Sequence, residues 1–529
     1  MMNHSNNNRK EKIGAKVRVP RNYIKREYRL RLNDEEPEQG EDNNPYRGYF
    51  IRDRDRILFS KAFRRLSRKT QVFLPASDDQ VRTRLTHTLE VAQIATITAE
   101  ALGLDRNLTE AIALGHDIGH APFGHTGERV LHHISTGCDN LGGLSPRLIS
   151  EDMGFKHNLQ GIRVVSELSK VYPEHNGLNL SNFTLWGIKN HTQEVWEKCD
   201  YRYETDSGYG CTNLRNKNNK KCCHSDIDAI LANNFYKKYT SLCSHPYGKN
   251  GGENGAWSFE AYVVAMCDEI AQRNHDIVDG YISGVLEFDE IEEVLEECFP
   301  KKSLTEKQGA LLGRLKKWKK DREFTQAILS KIIVSFLNEC LIESSENNIR
   351  IFLDKRNIRT RTAFKDEYPN ITENEVKNII SYPETFIEKE KKLQKTLMSS
   401  ILNSYHVQRM DGKANMIIRQ LAKAFLTNPQ QLDDETICRL YNIYRSENNQ
   451  LSPQSADFYQ LRKLTEDKVD KVTNSDKRIW LKDTFNGPQN LKLKKLLVRS
   501  ICDYISSMTD DFAMTEHARL YSTSEFIKT

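Results

Sequence analysis

The chain of 529 residues is 38% hydrophobic and 29% charged, with 78 basic against 73 acidic residues and a net charge of +5. That is globular material, long enough for a large core in one domain with insertions or in two to three smaller ones. The near balance of charge does not mark a nucleic-acid coat, no apolar run approaches a membrane span, and the basic, polar start has no apolar stretch of a secretory signal, so a cytoplasmic protein is expected.

Residues 1–45 read as a basic arm. The stretch "RDRDRILFSKAFRRLSRK" then concentrates Arg and Lys. Such a cluster attracts phosphates, or it simply solvates a helix face. From about residue 50 the pattern is helical. "LTHTLEVAQIATITAEALG" places Leu89, Ala92, Ala99 and Leu102 on one apolar face, with Gly103 as its stop. Asn107, with Glu110 three residues on, marks the start of a second helix that runs into "ALGHDIGHAPFGHTGE". Residues 204–255 are polar and rich in Gly and Asn, as in a surface insertion. Around them lie Cys199, Cys211, Cys222, Cys223, His224 and Cys243, whose spacing fits no standard zinc module. The eleven cysteines contain no CxxC pair and are expected to be reduced. Ser258 is the candidate cap of "FEAYVVAMCDEIAQRNHDIVDG". Amphipathic helices fill 301–450, and "LKKLLVRSICDYISSMTD" is an apolar helix within 451–529. Strand signals are sparse. The expected fold is mainly α: a core over 46–300 carrying the insertion, a helical region over 301–450, and a segment over 451–529 packing on the core.

The segment from Ala113 to Glu128 holds His116, Asp117, His120, His125 and Glu128 where Gly and Pro break the backbone most. At a helix end, His116 and Asp117 can lean toward one point, and a divalent cation accepts imidazole nitrogen and carboxylate oxygen together. His87 begins the preceding helix. If the two helices pack antiparallel, it comes beside His116 and Asp117. The bland account is a half-exposed histidine at a helix start, where a positive charge gains nothing from the dipole. Asp268 lies in the nearly all-apolar run "YVVAMCDEIA". A buried carboxylate there needs a cation or an arginine partner. Asp268, Gln272, His275 and Asp276 share one side of that helix, as a pocket wall would. A helix starting near Thr126 would let His125 and Glu128 approach, so that the carboxylate orients the imidazole for proton transfer. His120 could be a ligand, a phosphate contact or a polar lid residue.

His87, the His116–Asp117 pair and Asp268 resemble the H…HD…D pattern of the HD-domain metal phosphohydrolases. Within that superfamily the chain resembles the deoxyguanosinetriphosphate triphosphohydrolases and related dNTPases. Six segments carry the likeness: "RDRDRILFSKAFRRLSRKTQVF", "RTRLTHTLEVAQIA", "LGHDIGHAPFGHTGE", "GFKHNLQGIRVV", "SFEAYVVAMCDEIAQRNHDIVDG" and "DYISSMTDDFA". The resemblance implies an HD-domain helical fold with additional C-terminal helices. It implies hydrolysis of a deoxynucleoside triphosphate to deoxynucleoside and tripolyphosphate, with His87, His116, Asp117 and Asp268 holding one Mn²⁺ or Mg²⁺. It also implies His125 and Glu128 as the catalytic pair, Arg84 on phosphate, and Gln71 and Asp276 at the deoxyribose. The chain departs at Gln272, where the family usually has a tyrosine stacked under the sugar. Further implied partners are other copies of the chain, hexamers included, and single-stranded DNA or a nucleotide effector. The alternatives are another HD nucleotide phosphohydrolase, and a nucleic-acid-binding regulator with a vestigial site, for which the basic N-terminal segments speak.

Overall fold

The computed structural model describes residues 47–71, 82–136, 139, 141–142, 154–171, 176–192, 243, 256–448, 473–485 and 491–522. The basic arm at 1–45, the insertion at 204–255 and the Cys/His group other than Cys243 lie outside the described residues.

Among the described residues the regular structure is helical, and the only extended pairings are isolated bridges, Thr70 with Thr83 and Lys170 with Gly177. The chain runs through α1 (Tyr49–Leu58), α2 (Lys61–Arg65), α3 (Arg84–Leu102), α4 (Arg106–Gly115), α5 (Gly124–Ser135), α6 (His157–Arg163), α7 (Asn182–Asn190) and α8 (Phe259–Ile282). It continues through α9 (Phe288–Cys298), α10 (Glu306–Trp318), α11 (Arg322–Lys355), α12 (Arg361–Glu367), α13 (Glu373–Val376), α14 (Glu384–Leu402) and α15 (Tyr405–Thr427). The last four are α16 (Asp434–Asn448), α17 (Asn474–Phe485), α18 (Leu491–Ser506) and α19 (Asp510–Tyr521).

Local signals explain most boundaries. Gly103 adopts φ 77° and closes α3, as its missing Cβ allows. Ser258 caps α8 by accepting from the Ala261 N–H. The second helix starts earlier than the Asn107 signal implies: Asp105 caps it, accepting from the Asn107 and Leu108 N–H groups. A carboxylate is the stronger acceptor for those orphan donors. Leu89 departs from the expected apolar face of α3. It is 50% exposed, whereas Ala92, Ala99 and Leu102 are buried, because α3 meets both α4 and α8 with its other residues.

Two apolar cores result. One gathers α1, α3, α4, α7, α8 and the helices to α14; the other joins α5 to α15, α16 and α18. By length and composition α11 is one helix among the described residues that could cross a membrane, against the sequence reading. In the structure it lies on α8, α10 and α3, burying Ile328, Leu329, Ile332, Ile333, Phe336 and Leu337. Core packing makes the same demand on composition as lipid does.

The C-terminal helices reach back to the middle of the chain. Asp510, at the start of α19, accepts from the Thr70 N–H and the Phe123 N–H at 2.8 Å each. The buried Lys69 amine donates to the Ser506 carbonyl at 2.8 Å and to the His120 carbonyl. The loops that carry Gln71, His120 and Phe123 are therefore tied down by residues more than three hundred positions away.

Candidate metal centre and active site

Thr83 caps α3 by exchanging hydrogen bonds with Thr86. That sets the first turn, on which Arg84 and His87 sit three residues apart and both buried. The helices α3 and α4 pack closely, and the end of α4 brings His116 to His87, with ring centroids 5.5 Å apart. His87 is thus 1% exposed, not a half-exposed helix-start residue.

Helix α8 supplies Asp268. Its Oδ1 lies 2.9 Å from His87 Nε2 and 3.7 Å from His116 Nε2. His116 donates through Nδ1 to the Ala113 carbonyl at 2.6 Å. Its Nε2 is then a lone pair turned inward, buried and without a hydrogen-bond partner among the described residues. Asp117 stands at the margin, Oδ1 3.5 Å from His116 Nε2 and Oδ2 3.9 Å from His87 Nε2. The arginine that could have neutralised Asp268 falls on Asp117 instead, with Arg84 Nη1 2.9 Å from Asp117 Oδ2. Burial alone would raise the Asp268 carboxyl, but the His87 hydrogen bond holds it below the usual range. His87, His116 and Asp268 have mutually close ligand atoms that could hold a cation, and Asp117 adjoins them. Three of the four side chains expected to be ligands come together, and the fourth, Asp117, lies at their margin on Arg84.

A second buried group lies alongside. His120 Nε2 meets Asp117 Oδ1 at 3.0 Å, and its ring stacks on that of His157 at 3.8 Å. Burial first, then the nearby Arg84, keeps the His120 imidazole well below its ordinary value. His157 Nδ1 lies 2.7 Å from Glu128 Oε2, and its Nε2 lies 3.3 Å from His191 Nε2. Burial pushes His191 down to about 3, with His116 and His157 adding to the effect.

The sequence expected Glu128 to orient His125. In the structure the short contact of this carboxylate is His157. Both residues lie on α5, Glu128 buried and His125 exposed, and α6 presents His157 to the buried carboxylate. The His125 ring is edge-on to His120 at 5.5 Å and lies 6.2 Å from His157.

Around these groups stand the other expected residues. The buried Gln71 Oε1 and the Nε and Nη2 of Arg84 have no partner among the described residues. A Cβ on Gly124 would sit 3.4 Å from Arg84 Nη2 and 3.5 Å from the Gln71 carbonyl, so α5 begins against both. On α8, Asp276 is 2% exposed with neither oxygen partnered, and burial pushes its carboxyl up to about 7. His275 turns from it to Glu90, Nε2 to Oε2 2.7 Å, and Gln272 is half-buried one turn beyond Asp268. His157 and His191 were not singled out from the sequence. Each is a lone histidine with no spacing signal, and only packing of α6 against α7 brings them to the site.

A helical fold with an adjacent His and Asp at a helix end fits the HD domain, whose family pattern matches residues 84–232. The Phosphohydrolase-associated domain pattern matches residues 380–452 and 474–519. Fold and site together define an HD-domain phosphohydrolase. The relatives narrow this. A deoxyguanosinetriphosphate triphosphohydrolase-like protein of Geobacter metallireducens is 30% identical over 480 residues, covering 91% of this chain and 90% of that protein. One from Allorhizobium ampelinum is 33% identical over 383 residues, 72% and 78% of the two chains, and one from a Caulobacter species is 29% identical over 488 residues, 91% and 92%. The chain belongs to the deoxyguanosinetriphosphate triphosphohydrolase-like family.

Proposed function

We propose that the chain hydrolyses a deoxynucleoside triphosphate, dGTP foremost, to the deoxynucleoside and tripolyphosphate, using one Mn²⁺ or Mg²⁺ held by His87, His116, Asp117 and Asp268. The observation that carries this reading is the set of buried polar atoms with no partner among the described residues: His116 Nε2, Arg84 Nε and Nη2, Gln71 Oε1 and both Asp276 oxygens. Each costs about 1–3 kcal/mol if left so. The imidazole lone pair calls for a cation, the guanidinium N–H groups for an anion, and the amide and carboxyl oxygens for hydroxyls. A cation-bound deoxynucleotide offers all three.

The cation, when bound, would polarise a phosphoryl oxygen and offset developing charge. Arg84 stays fixed by Nη1 on Asp117 and turns Nε and Nη2 to phosphate oxygens. Gln71 and Asp276 take the sugar; with its carboxyl near neutrality, Asp276 both accepts and donates. A water oxygen bonds to the α-phosphorus as the bond to the sugar 5′-oxygen breaks, and that oxygen leaves with a proton. In this reading the exposed His125 delivers that proton and is recharged by the one the attacking water sheds, while Glu128 holds His157 behind the stacked His120. The same reading carries homo-oligomers, hexamers included, a response to single-stranded DNA or a nucleotide effector, and a cytoplasmic site of action on the nucleotide pool.

The test is a panel of the four dNTPs and GTP with Mn²⁺ or Mg²⁺, with and without single-stranded DNA, with products separated by ion exchange. Tripolyphosphate supports the reading; orthophosphate or pyrophosphate overturns it. Asp117→Ala should abolish both ion occupancy and turnover, and unchanged turnover would remove Asp117 from its role.

A further inference from the structure

The buried carboxylate of Asp510, in the first turn of α19, has each oxygen committed to a different loop. Oδ2 accepts from the Thr70 N–H at 2.8 Å and from the Thr70 hydroxyl, and Oδ1 accepts from the Phe123 N–H at 2.8 Å. Thr70 directly precedes Gln71, and Phe123 opens α5, which carries His125 and Glu128. Phe123 sits at φ 61°, a left-handed conformation that a non-glycine residue keeps only when its surroundings hold it. The bond to Asp510 is one hold, and burial of the Phe123 ring is the other. Gly124 follows at φ 60°, packed against the Thr70 and Gln71 carbonyls and Arg84 Nη2. The Lys69 carbonyl in turn accepts from the Arg84 N–H at 3.0 Å. Gln71, the start of α3 and the start of α5 thus meet at one turn, and the group that joins two of them comes from the far end of the chain.

We propose that Asp510 is a positioning residue for recognition of the sugar: it sets where Gln71 stands relative to Arg84 and His125, acting through the two loops rather than on the substrate itself. The inference rests on the reading above in which Gln71 takes the sugar. Only a carboxylate serves at this place. Its partners are two backbone N–H donors on different oxygens, so an amide satisfies one and turns its own NH₂ toward the other. The loop so released moves away, and a misplacement of about 1 Å at a positioning contact is felt as a large loss of rate. Gln71 Oε1, buried and without a partner among the described residues, is the atom that such a shift takes out of reach. Lys69 braces the same corner through the Ser506 and His120 carbonyls, and leaves the Thr70 and Phe123 N–H groups to Asp510.

The test compares dGTP with its 2′,3′-dideoxy analogue, which lacks the one free sugar hydroxyl, by steady-state kcat and KM of the full chain with Mn²⁺. The wild type should prefer dGTP, and Gln71→Ala should cost roughly tenfold of that preference, as loss of one neutral hydrogen bond does. Asp510→Asn should slow both substrates through α5 and slow dGTP further, losing the same share of the preference. The double variant should discriminate no worse than Gln71→Ala alone. A residue that merely stabilises the fold would lower both substrates together, so an unchanged dGTP-to-analogue ratio in Asp510→Asn overturns the proposal. Additive losses of preference in the double variant overturn it too. Should Asp510→Asn not fold, Thr70→Val removes only the hydroxyl bond at nearly constant shape. It should lower the ratio in the same direction, and an unchanged ratio there is equally fatal. These failures leave the substrate reading standing. A wild type that hydrolyses neither compound sinks that reading and this proposal with it, and one that hydrolyses both alike removes Gln71 from the sugar and Asp510 from its role.

Discussion

Gly119 sits between Asp117 and His120, and adding one methyl there is the sharpest perturbation the structure offers. A Cβ at this position would lie 1.9 Å from the His157 carbonyl oxygen, 2.2 Å from Gly161 N and 2.7 Å from Gly161 Cα. Ordinary contact begins at 3.4 Å, so the loop must retreat from α6 by about 3.4 − 1.9 = 1.5 Å. Every opposing atom is backbone, so no rotamer relieves the clash. Overpacking of this kind costs about 1–3 kcal/mol, and rigid opponents push it to the upper end. The retreat would also part His120 from the His157 ring on which it now stacks at 3.8 Å. A misplacement of about 1 Å costs on the order of 10²-fold in turnover. Gly119→Ala is therefore expected to melt at lower temperature and to lose about two decades of kcat/KM in a dNTP hydrolysis assay. Gly309→Ala is the control: nothing lies within 4 Å of its Cβ on the exposed face of α10. It should gain about 0.5–1 kcal/mol from helix propensity and leave turnover alone. A Gly119→Ala protein with wild-type melting and turnover would refute the close approach of loop and helix on which the site geometry rests.

Lys69→Met should strip the His120 and Ser506 carbonyls of their shared donor, at about 2–4 kcal/mol for two buried acceptors, read by urea denaturation; a loss under 0.5 kcal/mol would contradict the bracing role. Asp503 accepts from Arg163 at 2.7 Å, and although burial works the other way, Arg163 and Arg499 hold its carboxyl down at about 2. A folded-state value below the unfolded one, near 3.8, gives stability that is present above pH 4 and lost as pH falls through 2, about 2 kcal/mol in all. Asp503→Asn should flatten that part of the stability–pH curve, and an unchanged slope would show the pair to be inert.

Much of the helical plan could be read in advance, because caps and stops act within a few residues. Ser258 and Gly103 do what their types imply, and the apolar face of "LKKLLVRSICDYISSMTD" is buried through Leu493, Leu497, Val498 and Ile501. The approach of His87 to His116 also followed, since it needs only two consecutive helices packed against each other. Asp105 displaced Asn107 as a cap by a stronger local acceptor, and Leu89 lost its place in the core because α3 is covered by helices far along the chain.

The sequence by itself determined the helices, the broken backbone after α4 and the side chains available to chemistry. Only the tertiary structure decided which of those side chains meet. Arg84 neutralises Asp117 rather than Asp268, Glu128 takes His157, and Asp510 holds Thr70 and Phe123. The physical reason is range: a helix cap is chosen among neighbours a few residues away, whereas a buried charge takes whichever partner packing sets within about 4 Å, from any distance along the chain.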